Sequence, residues 1–170
     1  MTLVLPDWYQ GGYEDVEAVL CDMFSFLLGS SQDPETGEWT GVPVVTWLED
    51  DYYDNPRPVL RVHRASGKAF VDLPFDHAVV QIGAFSQSRK DSWELITFVR
   101  TVMAAASGGF KVPRLDGTHT QINSVDEWAG PVQSPDDFID DRFVPASYKV
   151  VVRGSRRYNP DYYRRIMDNL

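Results

Sequence analysis

Residues 49–54 hold the densest group of potentially reactive side chains in the sequence. The segment contains four carboxylates and two tyrosines: Glu49, Asp50, Asp51, Tyr52, Tyr53 and Asp54. Carboxylate oxygens are the preferred ligands of Ca²⁺ and Mg²⁺, but the segment lacks the spaced Asp-x-Asp-x-Asp-Gly order and the distal Glu of a helix–loop–helix calcium site. We therefore expect a solvated acidic loop. The same expectation covers a second acidic group: Asp136, Asp137, Asp140 and Asp141.

The histidines and the cysteine give little support for a reactive centre. His63 and His77 fall on strand candidates, where a surface imidazole is expected unless it converges with a carboxylate on a metal. A small metal-dependent hydrolase, using the carboxylates of residues 49–54 with His63 or His77, stays open as an alternative. Cys21 lies in an apolar helical pattern and is interpreted as a core or flanking residue. As the single cysteine, it excludes an internal disulfide.

Common enzyme motifs are missing from the sequence. It contains no GxGxxG, GxxxxGK[ST], HExxH or GxSxG. Ser107-Gly108-Gly109 resembles part of a phosphate loop, but it follows a helix, so its amides would lie at the wrong pole for an anion. The sequence thus predicts neither catalysis nor a cofactor.

Size and charge restrict the function further. The 170 residues, 43% of them hydrophobic, fit one domain with its own core. No apolar run approaches the roughly 18–20 residues of a membrane span. The formal charge of −9 argues against a tightly held nucleic acid. Residues 149–170 nevertheless hold six basic and two acidic residues, so an acidic body and a basic end can pair between copies.

Large aromatic residues are concentrated in predicted loops and in the C-terminal segment, where arginines lie between them. Because interfaces favour Tyr, Trp and Arg, we expect contacts between subunits there. In the alternative interpretation, these segments fold back over their own sheet. The candidate interface residues are Trp39, Tyr52, Tyr53, Arg153, Arg156, Arg157, Tyr158, Tyr162, Tyr163, Arg164 and Arg165.

Two helices are predicted from apolar residues at helical spacing. The first covers residues 15–28, with acidic residues at its start and Gly29 as its stop. The second follows Ser88, a capping residue, and ends in the Ala-rich stretch before Gly108.

Strands are predicted at residues 43–48, 59–63, 77–85 and 143–152, with one short strand within 122–132. Residues 66–68, Ser-Gly-Lys, are predicted to turn the chain, and residues 110–120 to be irregular. The fold class is therefore α+β: a mostly antiparallel sheet of four to five strands flanked by two amphipathic helices. We expect one domain over residues 1–153 and an extended basic C-terminal arm over 154–170.

Three stretches together resemble a known family. They are YEDVEAVLCDMFSFLL (residues 13–28), HAVVQIGAFSQSRKDSWELITFVRTVM (77–103) and GPVQSPDDFIDDRFVPASYKVVVR (130–153). In this order they resemble the tail terminator, or tail-completion, proteins of phages with long non-contractile tails, particularly those of mycobacteria. The resemblance spans most of residues 13–153.

The resemblance implies a structural protein of the virion, placed at the neck after assembly in the host cytoplasm. It implies a hexameric ring that caps the tail tube, joins it to the head-side connector and contacts the tail tube protein and the head-completion (stopper) protein. DNA would only pass through the channel, and the acidic residues of 49–54 and 136–141 are candidates to line it because acid repels phosphate. No membrane, catalysis or cofactor is implied. Alternatives are a head-closure or other neck connector subunit, a tail tube subunit, or a host-directed inhibitor that mimics DNA.

Overall fold

The computed structural model describes residues 12–69, 75–132 and 142–154, together with residues 4, 164, 167 and 168. In residues 12–69, 75–132 and 142–154, two helices, α1 (Val16–Leu28) and α2 (Arg89–Ala105), are accompanied by eight strands. A turn of 3-10 helix, Ala106–Gly108, extends the second helix. The strands are β1 (Ser31–Gln32), β2 (Trp39–Thr40), β3 (Val44–Val45), β4 (Val59–Ala69), β5 (Phe75–Phe85), β6 (Phe110–Pro113), β7 (His119–Ala129) and β8 (Val144–Arg153).

Both helices begin and end where the sequence predicts. The side chain of Asp15 caps α1 by accepting hydrogen bonds from the backbone amides of Glu17 and Ala18. Gly29 ends the helix in the left-handed conformation at φ 61°, which glycine adopts without steric cost. The Ser88 hydroxyl caps α2 by accepting from the backbone amide of Asp91.

Six strands form one sheet in the order β3-β4-β5-β8-β7-β6, and β1 pairs with β2 in a separate hairpin. Neighbouring strands in the large sheet are antiparallel, except that β3 runs parallel to β4. Helix α1 packs on β3 and β4 near one edge and on β6 at the other, whereas α2 packs on β5, β8 and β7. The sheet therefore curls so that α1 lies between its two edge strands.

One core fills the space between the helices and the sheet. Strand β8 supplies five of its residues in strict alternation: Val144, Ala146, Tyr148, Val150 and Val152. This is the face predicted from the two-residue period of a strand. Buried residues of both helices, among them Leu20 and Ile96, belong to the same core. A second, smaller cluster holds Tyr52, Val59 and Phe85.

The structure confirms the two helices and the α+β class but corrects the sheet. The predicted four to five strands are six, one pair is parallel, and a two-stranded hairpin is added. Residues 66–68 do not turn the chain; they continue β4 past a bulge between Arg64 and Ser66. Residues 110–113 and 119–129, expected to be irregular or only partly extended, form β6 and β7.

The basic arm and its boundary at residue 153 remain predictions, because most of residues 154–170 lie outside the described part of the chain. Within the described part, no helix has the length and apolar character needed to cross a membrane.

Candidate functional site

The acidic loop, which we define as residues 46–58, is anchored by a buried tyrosine. Tyr52 is only 3% exposed and meets the ring of Phe85 edge-to-face at 5.7 Å between centroids. Tyr52 is therefore buried in the single chain and not exposed as its place in a loop suggested, and its role in a subunit interface stays a prediction. Its neighbour Tyr53 is 71% exposed, and Trp47 in the same loop is 78% exposed. The loop thus holds one aromatic ring inside and presents two outside.

Polar contacts within the loop partly neutralise its carboxylates. Glu49 pairs with Arg57 and also accepts a hydrogen bond of 3.1 Å from the indole Nε1 of Trp39. Asp51 lies 3.9 Å from the same Arg57 guanidinium. Asp50 and Asp54 are exposed. Arg57 thus ties Glu49 and Asp51 together but offsets only one of the four negative charges, so four acids and one arginine leave the loop with a net charge of −3.

Tyr52, the buried ring of the acidic loop, packs on a stacked pair of phenylalanines. The rings of Phe85 and Phe143 lie 4.4 Å apart and nearly parallel, and the guanidinium of Arg61 lies 5.5 Å from the centroid of Phe85. The ring of Phe143 covers Gly83, where a Cβ would overlap it. Glycine at this position lets the aromatic layer approach the sheet backbone.

The other predicted interface and channel residues are only partly described. Trp39 is half-buried through its bond to Glu49, whereas Arg153 at the end of β8 and Arg164 are exposed. Ten predicted residues lie outside the described part of the chain: Asp136, Asp137, Asp140, Asp141, Arg156, Arg157, Tyr158, Tyr162, Tyr163 and Arg165. Whether the basic arm meets the acidic body stays a prediction.

A buried ion pair, which sequence patterns did not indicate, connects β4 to β5. The Arg64 guanidinium donates to both carboxylate oxygens of Asp76, a residue that is 2% exposed. This bonding raises the pKa of Arg64 above its ordinary value. Glu17 on α1 accepts from the backbone amide of Arg64 and lies 3.6 Å from Nδ1 of His63. Arg64, Asp76 and Glu17 each have a polar partner within the domain, as expected for a network that stabilises the fold.

No reactive centre emerges from the described residues. Burial raises the pKa of the Cys21 thiol to about 12, so it stays protonated and is a poor nucleophile at neutral pH. Nowhere in residues 12–69, 75–132 and 142–154 do three His, Cys, Asp or Glu side chains converge in a way that could hold a metal ion.

An apolar groove opens where the end of α1 meets β6. Its volume is about 350 Å³. We call it the α1–β6 groove; it is lined by Met23, Phe26, Leu27, Phe110, Lys111, Pro113 and His119. The sequence analysis missed this groove because Phe26 lies outside the buried stripe of α1 and β6 was expected to be irregular. The available signal was the exposed position of Phe26 on an otherwise amphipathic helix.

The α+β domain thus presents two surfaces suited to contacts with other proteins. One is the acidic loop with its exposed aromatic rings, and the other is the α1–β6 groove. Comparison with family models gives a match to the family described as phage tail termination protein, over residues 12–159. No curated protein matches the chain. Because the match covers most of the 170 residues, the chain belongs to the phage tail termination family. It is a structural tail protein of the virion, as the resemblance implied.

Proposed function

We propose that copies of this chain close into a hexameric ring that caps the finished tail tube and joins it to the head-side connector. The observation that carries the proposal is the family match over residues 12–159. The ring would contact the tail tube protein on one side and a head-completion protein on the other, at the neck of the virion. Assembly would take place in the host cytoplasm, and the chain would act without catalysis.

The charge of the chain supports a channel through which DNA passes without binding. A formal charge of −9 per copy repels phosphates wherever acidic side chains face the channel. The acidic residues of 136–141 remain candidates for that face. The acidic loop is a second candidate, because Arg57 offsets only one of its four negative charges.

The basic C-terminal arm is a further part of the proposal. Arginines of residues 153–165 would pair with the acidic body of a neighbouring copy. Removal of residues 154–170 should then weaken self-association and make it less sensitive to salt. Association that stays unchanged and salt-insensitive after this deletion would contradict the charge pairing, but not the ring itself.

The capping role is tested by withholding the protein during phage assembly. Without a terminator, tube growth has no stop, so electron micrographs should show tails of abnormal length and heads without tails. Supplying the full chain in trans should restore tails of uniform length joined to heads. A matched control is the full chain carrying Leu115→Glu, a change in an exposed turn residue that should restore assembly equally well. Normal joined particles in the absence of the protein would refute the proposal.

A further inference from the structure

Three large apolar side chains of the α1–β6 groove are exposed to water. Phe26 is 73% exposed, Leu27 45% and Phe110 43%, and the three side chains are contiguous along the groove. Contiguous exposed apolar residues with a polar rim are typical of an interaction site. The groove is at the small end of the range for binding pockets, which suits one or two large side chains.

An ion pair within the single chain holds the two walls of this groove together. Arg114, directly after β6, forms an ion pair with Asp22 on α1, with 2.7 Å between its Nε and the carboxylate, and both side chains are largely buried. This ion pair locks the helix to the strand. Strand β6 is also an edge of the sheet, pairing with β7 on one side. A partner would therefore meet a preformed surface and would lose little free energy in ordering it.

The acidic loop offers a complementary shape. Trp47 and Tyr53 project from it with exposures of 78% and 71%. Tyr52 and the Arg57–Glu49 pair hold the loop, so the two rings are presented on a rigid base. Rigid aromatic anchors that enter pockets dominate the binding energy of protein interfaces.

Charge also matches between the two surfaces. The groove rim carries Lys111 and His119, and Lys111 is exposed. The projecting loop carries Asp50 and Asp54 beside its aromatic residues. None of the seven residues that line the groove is acidic, and Asp22, the neighbour of Met23 in α1, is paired with Arg114. We call the exposed rings of Trp47 and Tyr53, with Asp50 and Asp54 in the same loop, the knob. The same chain thus carries an acidic, aromatic knob and an apolar groove with a basic rim.

We infer that Trp47 and Tyr53 of one copy insert into the α1–β6 groove of the next copy, with Asp50 and Asp54 facing Lys111. The partner is a second copy of this chain, because the complementary charge and shape are both found on the chain itself. The contact joins two different surfaces, so it is head-to-tail and can propagate around a ring. This inference rests on the proposed ring, and it assigns the acidic loop to the contact between copies instead of the channel.

A mixing experiment with full-length variants tests the contact. Phe26→Glu blocks the groove, and Phe110→Glu serves as a second groove variant in case the first does not fold. Trp47→Ser with Tyr53→Ser removes the knob. Each variant alone should associate at least about 30-fold more weakly in analytical ultracentrifugation, the loss expected for a hot-spot residue. Trp128→Ser changes an exposed apolar residue that neither lines the groove nor belongs to the acidic loop, so this variant should associate like the wild type.

Mixing then distinguishes a head-to-tail contact from other arrangements. A groove variant still has its knob and a knob variant still has its groove, so an equimolar mixture should form a heterodimer that neither forms alone. In the same way, Lys111→Glu should weaken association, and Asp50→Lys with Asp54→Lys in the other copy should restore it. Absence of the heterodimer, or a groove variant that associates like the wild type, would overturn the inference.

Failure of this inference can be separated from failure of the ring. If the wild type forms rings and the groove variants do so equally, the proposed function stands and the assigned surfaces are wrong. If the groove variants form normal rings that no longer bind tail tubes, the groove belongs to the tube contact and the inference is overturned. If the wild type forms no oligomer alone or on tail tubes, both proposals fail together.

Discussion

The guanidinium of Arg64 donates one hydrogen bond to each carboxylate oxygen of Asp76, at 2.5 and 2.8 Å. Asp76 is 2% exposed, whereas the Arg64 side chain is 34% exposed. The bulge in β4 brings the arginine over the strand, and Gly67 leaves space for it. A Cβ at Gly67 would lie 2.8 Å from Nη2 of Arg64. Bidentate, charge-assisted hydrogen bonds are strong, so this pair links β4 firmly to β5.

Removal of the arginine should destabilise the domain strongly. Arg64→Met leaves the Asp76 carboxylate buried without its partner, and we expect the free energy of unfolding to fall by about 3 kcal/mol in urea titrations. The matched control is Arg57→Met, which breaks an exposed pair and should cost less than about 1 kcal/mol. Equal losses for the two variants would show that burial of Asp76 does not determine the strength of the ion pair.

Gly83 and Phe143 should show a coupled effect on stability. Gly83→Ala places a methyl group against the Phe143 ring, and we expect a loss of about 1–3 kcal/mol from overpacking. Phe143→Leu removes the overlap, so Gly83→Ala should cost much less in that background. A double-mutant cycle by urea unfolding measures the coupling. Additive losses would mean that the glycine is required for another reason.

Alkaline pH should weaken the fold through Cys21. Burial raises the pKa of its thiol from 9.0 to about 12, so the folded state holds this proton more tightly than the unfolded state. The stabilisation is complete below pH 9 and is lost as the pH rises from 9 to 12, by at most about 4 kcal/mol. Cys21→Ala should show a smaller loss over this window than the wild type.

A chemical probe gives an independent check on Cys21. A thiol-specific disulfide reagent at pH 8 should react slowly with the folded protein and rapidly in denaturant. Rapid reaction of the folded chain would contradict the assigned burial.

The hydroxyl of Tyr148 should be dispensable for stability. Its Oη is buried and has no hydrogen-bond partner within the described part of the chain, and burial raises the pKa of the phenol to about 12. Tyr148→Phe removes an unsatisfied polar group, so the free energy of unfolding should stay equal or rise by up to about 1 kcal/mol. Val150→Ala, two residues along the same buried face, should instead cost about 2 kcal/mol. A clear loss in Tyr148→Phe would indicate a partner for the hydroxyl.

Helix ends and strand alternation depend on residues close together in the sequence, and these features were predicted correctly. Ser88 caps α2 and Gly29 ends α1 where the sequence indicates, and β8 buries the alternating face of its pattern. Gly67 was misinterpreted because a glycine between polar residues predicts a turn. Here its conformation, at φ 148°, accommodates the arginine of a bulge instead.

The remaining errors concern pairing between distant segments. Strands β6 and β7 carry many exposed polar residues and acquire their extended form by pairing with each other and with β8. Tyr52 is buried because Phe85, 33 positions later, lies beneath it, and no local pattern reports that contact. The α1–β6 groove was missed for the same reason, since it exists only when the curled sheet brings β6 against α1.

The central position of β8 has a consequence for how the protein is made. Strand β8 lies between β5 and β7 in the sheet, and the ribosome produces both of them before β8. Until all of β8, up to residue 153, has emerged from the ribosome, the edges of β5 and β7 that will pair with it have no partner strand. Unpaired strand edges promote aggregation of nascent chains. The sheet can therefore close only after translation of β8, and a ribosome that stalls before this strand should leave an unfolded, chaperone-dependent chain.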